Sequence, residues 1–547
     1  MKKIVPLLII LIVSYFFSKP FFNSGYFPTH DGEWAIVRLV EMQREIKNGQ
    51  IPPRMSDYLN HGYGYPLFSY TYPFPYYLGM FFRLFKIGYT DTIKILFILS
   101  VFLSGIFMYL FAKKLSGIEA GVFSSILYIT APYRLVNLYI RGSLGESLSM
   151  VIFPLLLYIS LFYIEKPNIK YSLLLSLTLA ILILTHNVMA LLFFPIFISF
   201  IIFFSNINLR KVNLFLLRNL LLSIILGLGL SAFFFIPAIL EKQYILLSQV
   251  KLANLQDNFI HFKDFIALSW NWGSKPFFQL GWVHILALIS SICVIVFVKK
   301  ARSKGDLPVF LYLLMILSIL ILFTNNISAI FWKIPPLSWI DFPWRILAII
   351  SFFLSLFSIF LVYDKFTRIL GYFIVLLSLI VNINYVKPIS YLSKPDEYYL
   401  TNDDTTTSMG ELMPLWVKTP PQNRWTDKVQ VESGSAKINN LIYNSKSITF
   451  NVLSDTDSII RVNTIFFPGW HYTANGNNID LNYSNPLGVV KLTLSKGDYI
   501  IKGVFQNTRV REWSNNISLV SIFIFLGLLG KFYLDNKFRF QHDEKNN

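Results

Sequence analysis

About twelve apolar segments recur along this chain of 547 residues, and most are long enough to cross a lipid bilayer, which takes about 20 apolar residues. The segments are residues 4–22, 92–111, 118–131, 144–163, 171–185, 188–204, 219–240, 282–298, 307–323, 345–362, 369–385 and 517–533. Charged residues form only 14% of the chain, whereas a soluble domain carries about 25%. The sequence therefore predicts a polytopic α-helical membrane protein embedded in a lipid bilayer.

The basic residues of the short loops predict how these helices are oriented. The chain has 48 Lys and Arg against 30 Asp and Glu, and the excess lies in alternate loops, at residues 113–114, 166–170, 210–218, 299–304, 365–368 and 531–545. Since cytoplasmic loops are enriched in Lys and Arg, we expect a multi-pass plasma-membrane protein with a cytoplasmic N-terminus and no nucleic-acid partner. Lys2 and Lys3 precede the first segment, and no small-residue cleavage site follows it, which favours a retained anchor.

This orientation places every long or polar connection on the outer side of the membrane: residues 23–90, 132–143, 241–281, 325–344 and 382–515. It requires residues 73–86, which are too short to span, to form an interfacial helix on the outer surface. Six of the seven histidines fall in these connections or at outer helix ends, namely residues 30, 61, 186, 261, 284 and 471. A purely structural protein has no need for this asymmetry, which favours an active site on the outer face.

Residues 386–513 differ in composition from the helices on either side. Runs that alternate apolar and polar residues, such as 447–452 and 489–494, are separated by turn residues, which predicts β-strands. Several such strands indicate a small extracytoplasmic β-sandwich. We therefore expect a transmembrane domain over residues 1–385, a β-domain over 386–513, and a final anchor with a cytoplasmic tail over 514–547.

Asp31 follows the first apolar segment and precedes an amphipathic helix. Ala35, Leu39 and Met42 share one face of that helix, which is the pattern of a helix lying in the membrane interface. Because Asp is a favoured N-cap residue, Asp31 is a structural cap, a functional acid, or both. Glu33 is a second acid in the same turn, and it is equally readable as a first-turn charge favoured by the helix dipole.

Four further residues lie where an outer-face site would be expected. Arg141 and Arg134 suit phosphate binding through their fork of N–H groups, with snorkelling to the interface as the alternative. Glu146 enters an apolar segment, where an acid is costly and tends to be functional. His186 interrupts another apolar run, either as a tight interfacial turn or as a site residue.

Several strings of residues resemble a known family. His30-Asp31-Gly32-Glu33, Ile51-Pro52-Pro53-Arg54 and the aromatic and proline stretch 64–77 occur in this order. The order resembles the first outer loop of GT-C superfamily glycosyltransferases. Within them it is similar to the bacterial and archaeal membrane proteins labelled "6-pyruvoyl-tetrahydropterin synthase-related" and to the YfhO-type proteins. Phe342-Pro343-Trp344-Arg345 resembles a string of the same family, and residues 466–470 with the turn Asn475-Gly476 resemble the carbohydrate-module-like tail of YfhO-type proteins.

The resemblance implies an activity and a role for each candidate residue. The activity is transfer of a sugar from a polyprenyl-phosphate-linked donor to a glycan, lipid or protein acceptor at the outer face. The implied catalytic acids are Asp31, Glu146 and Glu33, with Asp31 as the base or the metal-binding acid. The candidate substrate-binding residues are Arg134, Arg141, Arg345, His186, His30 and His261, with the arginines at the donor phosphate.

Metal use is left open by the resemblance. Some family members have a tight pair of acids in this loop, and this chain lacks that pair. If a divalent cation, Mg²⁺ or Mn²⁺, is bound, Asp31 is its expected ligand. In the outer connection 241–281, His261, Asp264, Trp270 and Trp272 either contact sugar or pack the loop. Trp344 is expected in the interfacial aromatic belt.

Two other functions are compatible with the composition. One is a transporter or flippase of lipid-linked glycans, and the other is a non-catalytic envelope assembly factor in which Asp31 is only a cap. A transporter is expected to carry charged or helix-breaking residues near the bilayer midplane, whereas the mid-span positions here are almost uniformly apolar. The sequence also contains no nucleotide-binding loop and no zinc motif, so the enzyme is favoured.

Overall fold

The computed structural model describes residues 4–209, 214–266, 279–303 and 305–545. The helices are α1 (Val5–Ser18), α2 (Gly32–Lys47), α3 (Leu67–Tyr70), α4 (Phe74–Arg83), α5 (Tyr89–Ser116), α6 (Ile118–Thr130), α7 (Pro132–Val136), α8 (Leu144–Glu165), α9 (Ile169–Thr185), α10 (Asn187–Leu209), α11 (Leu214–Leu240), α12 (Trp282–Phe297), α13 (Lys299–Ser303), α14 (Leu307–Thr324), α15 (Leu347–Leu356), α16 (Lys365–Asn382), α17 (Asp396–Leu400) and α18 (Arg509–Lys545). Within these ranges, nine helices are long and apolar enough to cross a membrane, and α6, α9 and α12 are shorter apolar helices. Each predicted apolar segment corresponds to one of them, so the polytopic α-helical class is confirmed.

The helices pack around α8 and α15. In the most apolar stretches of α8 and of the segment Pro343–Phe360, which includes α15, 83% and 94% of the residues are buried, against 11% for α18. Helix α5 packs on α6 and α8, and α11 packs on α9 and α18. Glu146 in the first turn of α8 lies 3.5 Å from Arg345, which comes just before α15, so these two segments meet inside the helix bundle.

Helix α4 agrees with the interfacial helix expected over residues 73–86. It has ten residues, too few to span a bilayer. Phe81 and the residues Leu84 and Phe85 just after the helix are exposed. An exposed apolar surface on a short helix is typical of interfacial segments.

The predicted β-sandwich is confirmed as two antiparallel sheets. Its strands are β1 (Val429–Ser433), β2 (Ala436–Tyr443), β3 (Ser447–Ser454), β4 (Ser458–Ile465), β5 (Trp470–Ala474), β6 (Asn477–Asn478), β7 (Val489–Leu494) and β8 (Gly497–Phe505). One sheet has the order β1-β4-β7 and the other β2-β3-β8-β5-β6. Ile448, Phe450 and Val452 alternate inward along β3, and Ile460 of β4 pairs with Leu492 of β7. This period of two is what buries one face of each sheet.

Residues 386–428 join α16 to β1, and we call them the connector. The connector lies along residues 23–90, which are predicted to be on the outer side and which we call the first outer connection. The Asp396 carboxylate accepts hydrogen bonds from the backbone N–H groups of Tyr89 and Thr90 at the start of α5 (2.6 and 3.1 Å). The backbone N–H of Leu412 donates to the Tyr65 hydroxyl (3.0 Å). The connector occupies the first part of the predicted β-domain, residues 386–513, and the first strand starts at Val429.

A buried ion pair, which we call the Glu241 clamp, ties α18 to the end of α11. The Arg511 guanidinium donates through Nε to Glu241 Oε2 (2.8 Å), and the Thr508 hydroxyl donates to Glu241 Oε1. Arg54 of the first outer connection donates to the Phe233 carbonyl of α11 (2.7 Å). The clamp thus fixes the helix that follows the β-domain against the rest of the bundle.

Candidate active site

The first outer connection meets the segment between α7 and α8 through backbone hydrogen bonds. The N–H groups of His30 and Asp31 donate to the carbonyls of Ile140 and Arg141 (2.9 and 2.7 Å). Gly142 has a φ of +62°, and a Cβ there would lie 2.3 Å from Thr29 Oγ1. Only glycine allows this close approach. The backbone at Asp31 therefore lies directly against the backbone at Arg141.

Asp31 occupies the N-cap position of α2, as the capping alternative predicts, but its side chain makes no capping hydrogen bond. The backbone N–H of Gly32 donates instead to Thr29 Oγ1 (3.0 Å). The Asp31 carboxylate is therefore held near the positive end of α2 without being used as a cap.

Glu146 lies at the centre of the site and is fully buried. Its Oε2 accepts hydrogen bonds from Arg141 Nη1 (2.6 Å) and from the Tyr133 hydroxyl (3.0 Å). Its Oε1 lies 3.5 Å from Arg345 Nε and 4.0 Å from His186 Nε2, and accepts no hydrogen bond within the described ranges. One carboxylate thus fixes one guanidinium and faces a second cation.

Arg141 ends a π-helical turn over residues 137–141, a geometry frequent at functional sites. Its Nη1 also donates to Asn137 Oδ1 (2.6 Å), and its guanidinium lies 4.5 Å from the centre of the Trp344 ring. Burial alone would lower the pKa of Arg141, but Glu146, Tyr133 and Asp31 together outweigh burial and raise it. Trp344, expected from the sequence in the interfacial belt, is instead buried against this arginine.

His186 forms the turn between α9 and α10, and its ring stacks on Tyr72 with 4.9 Å between ring centres. The backbone N–H of Met189 donates to His186 Nδ1 (3.4 Å), so in the neutral ring the proton lies on Nε2, the nitrogen that faces Glu146. A Cβ on Gly145 would lie 2.5 Å from the Tyr72 ring. The absence of a side chain at this position lets Tyr72 reach the site.

The structure thus brings Asp31, Arg141, Glu146, His186 and Arg345 together. Arg345 is the most open of the cluster's cations, with 21% of its side chain exposed. Arg38, whose guanidinium donates hydrogen bonds to Thr406 of the connector, also feels the charge of Asp31, so three guanidinium groups and two carboxylates lie in or beside the cluster. This surplus of positive charge suits a phosphate ligand.

Two other predicted residues, Arg134 and Glu33, lie elsewhere. Arg134 is fully buried among helices and donates to the carbonyls of Tyr128 and Ser100 (3.0 and 3.4 Å). Glu33 accepts hydrogen bonds from Lys394 (2.8 Å) and Tyr399 (3.1 Å) of the connector. These contacts give Arg134 and Glu33 structural partners rather than places in the cluster.

The remaining predicted histidines differ in position. His30 is exposed beside Asp31, whereas His261 starts a short 3₁₀ turn in which its backbone N–H donates to Asp264 (3.3 Å). Trp270 and Trp272, proposed with His261 as sugar contacts, lie outside the described residues.

The residues around Asp31 do not fit a divalent cation. Mg²⁺ and Mn²⁺ prefer several oxygen ligands, but Asp31 offers one carboxylate, and Glu146 is bound to arginine. Within the described ranges, the one group of three acids and histidines with metal-ligand spacing is His61, Asp403 and Asp404.

Tyr72, Tyr133 and Asn137 belong to the cluster but are not predicted from the sequence. The aromatic and proline stretch 64–77 draws attention to Tyr72 without indicating a contact with His186. Tyr133 and Asn137 carry no sequence signal that separates them from other polar residues at helix ends.

Comparison with known proteins gives one family and several distant likenesses. The family model for the 6-pyruvoyl-tetrahydropterin synthase related domain, a membrane protein, matches residues 68–390, a range that includes Glu146 but not Asp31. A protein of Lactococcus lactis subsp. cremoris, named only as uncharacterized, is 23% identical over 284 residues, which are 50% of this chain and 44% of that protein.

Two solved structures are similar at low identity. The oligosaccharyltransferase of Archaeoglobus fulgidus in its apo form has a TM-score of 0.42 at 14% identity, over 73% of this chain and 59% of that chain. The arabinofuranosyltransferase AftD from Mycobacteria has a TM-score of 0.43 at 12% identity, over 70% of this chain and 26% of that chain.

Proposed function

The chain belongs to the 6-pyruvoyl-tetrahydropterin synthase related family of membrane proteins, and we propose that it is a glycosyltransferase of the GT-C type. The donor is a polyprenyl-phosphate-linked sugar, and the acceptor is a glycan, lipid or protein at the outer face of the plasma membrane. The observation that carries this proposal is the buried Glu146, which faces two arginines at the centre of the helix bundle. A phosphate next to the bilayer is the ligand that such a pair of guanidinium groups recognises.

In this proposal the arginines bind the donor and Asp31 acts on the acceptor. Arg345 and Arg141 hold the phosphate, and Glu146 keeps the guanidinium groups in position. The acceptor oxygen attacks the anomeric carbon of the sugar and forms the new C–O bond. The bond from that carbon to the phosphate oxygen breaks, and the polyprenyl phosphate leaves with the electron pair. The Asp31 carboxylate takes the proton of the acceptor hydroxyl as the bond forms.

The variant Asp31→Asn tests this role. Asp31 makes no capping hydrogen bond. The free energy of unfolding of Asp31→Asn should therefore lie within about 0.5 kcal/mol of that of the wild type. Loss of the base should lower transfer by roughly 100- to 10,000-fold. The measurement is formation of labelled product from a polyprenyl-phosphate sugar in vesicles that contain the purified protein. Glu33→Gln is the matched control, and normal transfer by Asp31→Asn would refute the proposed base.

Orientation has its own test. On a Cys293→Ala background, a cysteine at the exposed Ser484 of the β-domain should react with a membrane-impermeant thiol reagent in intact cells. A cysteine at the exposed Lys166, between α8 and α9, should react only after the membrane is opened. The reverse pattern would place the cluster on the cytoplasmic side.

A further inference from the structure

A cleft of about 560 Å³ lies between the first outer connection and the connector. Trp34 of α2 and the pair Asn60 and His61 form one wall, residues 404–407 and ten of the residues from Met409 to Gln422 of the connector form the other, and Leu246 also lines the cleft. Its volume falls in the range of roughly 300–1,000 Å³ that is typical of small-molecule sites. None of the residues assigned to the cluster around Glu146 lines it.

Backbone strain is concentrated in this cleft. Among the described residues, six non-glycine residues have a positive φ, and three of them line the cleft: Asn60 (57°), His61 (55°) and Thr406 (57°). Such conformations cost free energy and persist only where the surrounding structure fixes them, often at ligand sites. Asn and His adopt a positive φ more readily than other residues, whereas the β-branched Thr406 is an outlier, so the connector wall carries the kind of strain that accompanies binding.

Specific contacts hold these strained residues in place. Arg38 donates through Nε to Thr406 Oγ1 (3.4 Å) and through Nη2 to the Thr406 carbonyl. The backbone N–H of His61 donates to the Asp403 carbonyl (2.9 Å). The backbone N–H of Leu246 donates to the Met413 carbonyl (2.8 Å), which joins the floor of the cleft to the segment after α11. The cleft is thus built before any ligand binds.

The lining has the chemistry of a carbohydrate site. Trp34 supplies a flat aromatic face, on which the C–H face of a sugar ring can stack. Thr405 and Thr407 supply hydroxyl groups, the second of which is hydrogen-bonded to Tyr65 (2.7 Å), and Gln422 supplies an amide. Such groups donate and accept hydrogen bonds, as a ligand rich in hydroxyls requires.

The charges of the lining favour a neutral ligand over an anionic or cationic one. Asp404 and Lys418, one of each sign, are both exposed at the cleft, and the ring of His61 is paired with the Asp403 carboxylate (3.3 Å). This balance contrasts with the surplus of guanidinium groups around Glu146, so the two places suit different parts of a reaction. Asp31 is the N-cap residue of α2 and Trp34 is the third residue of the helix, so the two positions lie within one helical turn.

We propose that this cleft binds a neutral glycan chain, with Trp34 as the stacking platform. Its role as the acceptor site rests on the proposed function, because it places the end of the glycan one helical turn from Asp31. Binding itself does not depend on sugar transfer.

The test measures binding to the full-length protein in lipid nanodiscs without any donor lipid. The probes are fluorescent, neutral hexasaccharides of glucose, galactose, mannose and arabinose, with an unstructured polypeptide of similar mass. At least one hexasaccharide should bind and the polypeptide should not. Trp34→Ala should weaken that binding at least tenfold, whereas Trp34→Phe, which keeps an aromatic face, should weaken it only a few-fold. Gln422→Ala, at an exposed position where folding is not at risk, should weaken binding about threefold.

Trp339→Ala is the matched control, because Trp339 is 51% exposed and lies outside the cleft. The inference is overturned if no hexasaccharide binds, if binding is unchanged in both Trp34→Ala and Gln422→Ala, or if the polypeptide binds in the Trp34-dependent way instead. Failure of the proposed function gives a different result. Glycan binding without sugar transfer in the Asp31 assay would leave a glycan-binding cleft on a protein that is not a transferase.

Discussion

Two buried glutamates in this protein are paired with arginines, yet their surroundings differ. In the Glu241 clamp, both carboxylate oxygens accept hydrogen bonds, one from Arg511 and one from Thr508. In the cluster, Oε2 of Glu146 is the one carboxylate oxygen that accepts hydrogen bonds from the described residues, while Oε1 faces Arg345 and His186 at 3.5 and 4.0 Å. Arg511 is fully buried, whereas 21% of the Arg345 side chain is exposed.

The difference separates a pair that stabilises the fold from one that retains binding capacity. A buried carboxylate with both oxygens occupied has little left to offer a ligand, and removing it leaves an uncompensated buried charge. Around Glu146, an unfilled oxygen and a partly exposed guanidinium remain available for polar contacts. Burial and ion pairing alone therefore do not identify an active site. A buried ion pair in which one oxygen or one guanidinium lacks a hydrogen-bond partner is a better indicator.

The largest expected effect is on the clamp. Glu241→Gln should lower the free energy of unfolding by about 3–5 kcal/mol, because Arg511 is left buried without its counter-charge. The measurement is thermal unfolding of the purified protein in detergent. Glu165→Gln removes the partner of Lys114 in an exposed ion pair and should cost at most about 1 kcal/mol.

Glu146→Gln sharpens the same comparison. Arg141 keeps its contacts with Asn137 and Trp344 in this variant, so the loss of stability should be smaller than that of Glu241→Gln. Sugar transfer should nevertheless fall, because the guanidinium groups lose the charge that orients them. Equal losses of stability in the two variants would break the distinction between clamp and cluster.

An intermediate effect is expected from Arg345→Lys. The charge is kept but the fork of N–H groups is lost. Because a hydrogen bond to a charged group contributes about 1.5–3 kcal/mol, kcat/KM for the donor should fall roughly 10- to 150-fold, with little change in unfolding temperature. Arg368→Lys, in an exposed ion pair with Glu119, is the control. Unchanged donor kinetics in Arg345→Lys would leave this arginine without a role in phosphate binding.

Much of the fold could be predicted from the sequence because the relevant signals are local. Apolar length marks the nine long and three shorter apolar helices among the described residues, and the two-residue alternation marks the strands from Val429 onward. Arg141, Glu146, His186 and Arg345 could be selected one by one, since each is a polar residue at the end of an apolar helix. Their convergence follows from the meeting of α8 with the segment before α15.

The partners of these residues could not be predicted, because they come from distant parts of the chain. Glu33 is paired with Lys394 of the connector, 361 residues away along the chain. Because of this contact, Glu33 lies outside the cluster around Glu146. Arg134 and Arg141 are similar in sequence context. Arg134 nevertheless donates to backbone carbonyls between the helices, whereas Arg141 donates to Glu146. The cleft at Trp34 is formed by residues more than 300 positions apart along the chain, so no local pattern signals it.

A third buried glutamate, Glu41 of α2, is also paired with an arginine, and its charge is expected to change with pH near neutrality. Its carboxylate accepts hydrogen bonds from Arg44 and from the Ser56 hydroxyl. Burial nevertheless raises the pKa of Glu41 to about 7, and the Asp57 carboxylate nearby acts in the same direction. Glu45, one turn further along the helix, has its pKa raised for the same reason.

The smallest expected effect is therefore on how stability changes with pH. Between pH 4.5 and about 7, Glu41 is protonated in the folded protein but ionised in the unfolded chain, so the folded state binds the extra proton. Stability should then fall as pH rises through this window, by up to about 1.4 kcal/mol per pH unit from this residue. Glu41→Gln should flatten that slope in thermal unfolding measured across the window, while Glu165→Gln, at an exposed position, should leave it unchanged. A slope that persists undiminished in Glu41→Gln would mean that Arg44 keeps Glu41 ionised, which would make it a pair of the same kind as the Glu241 clamp.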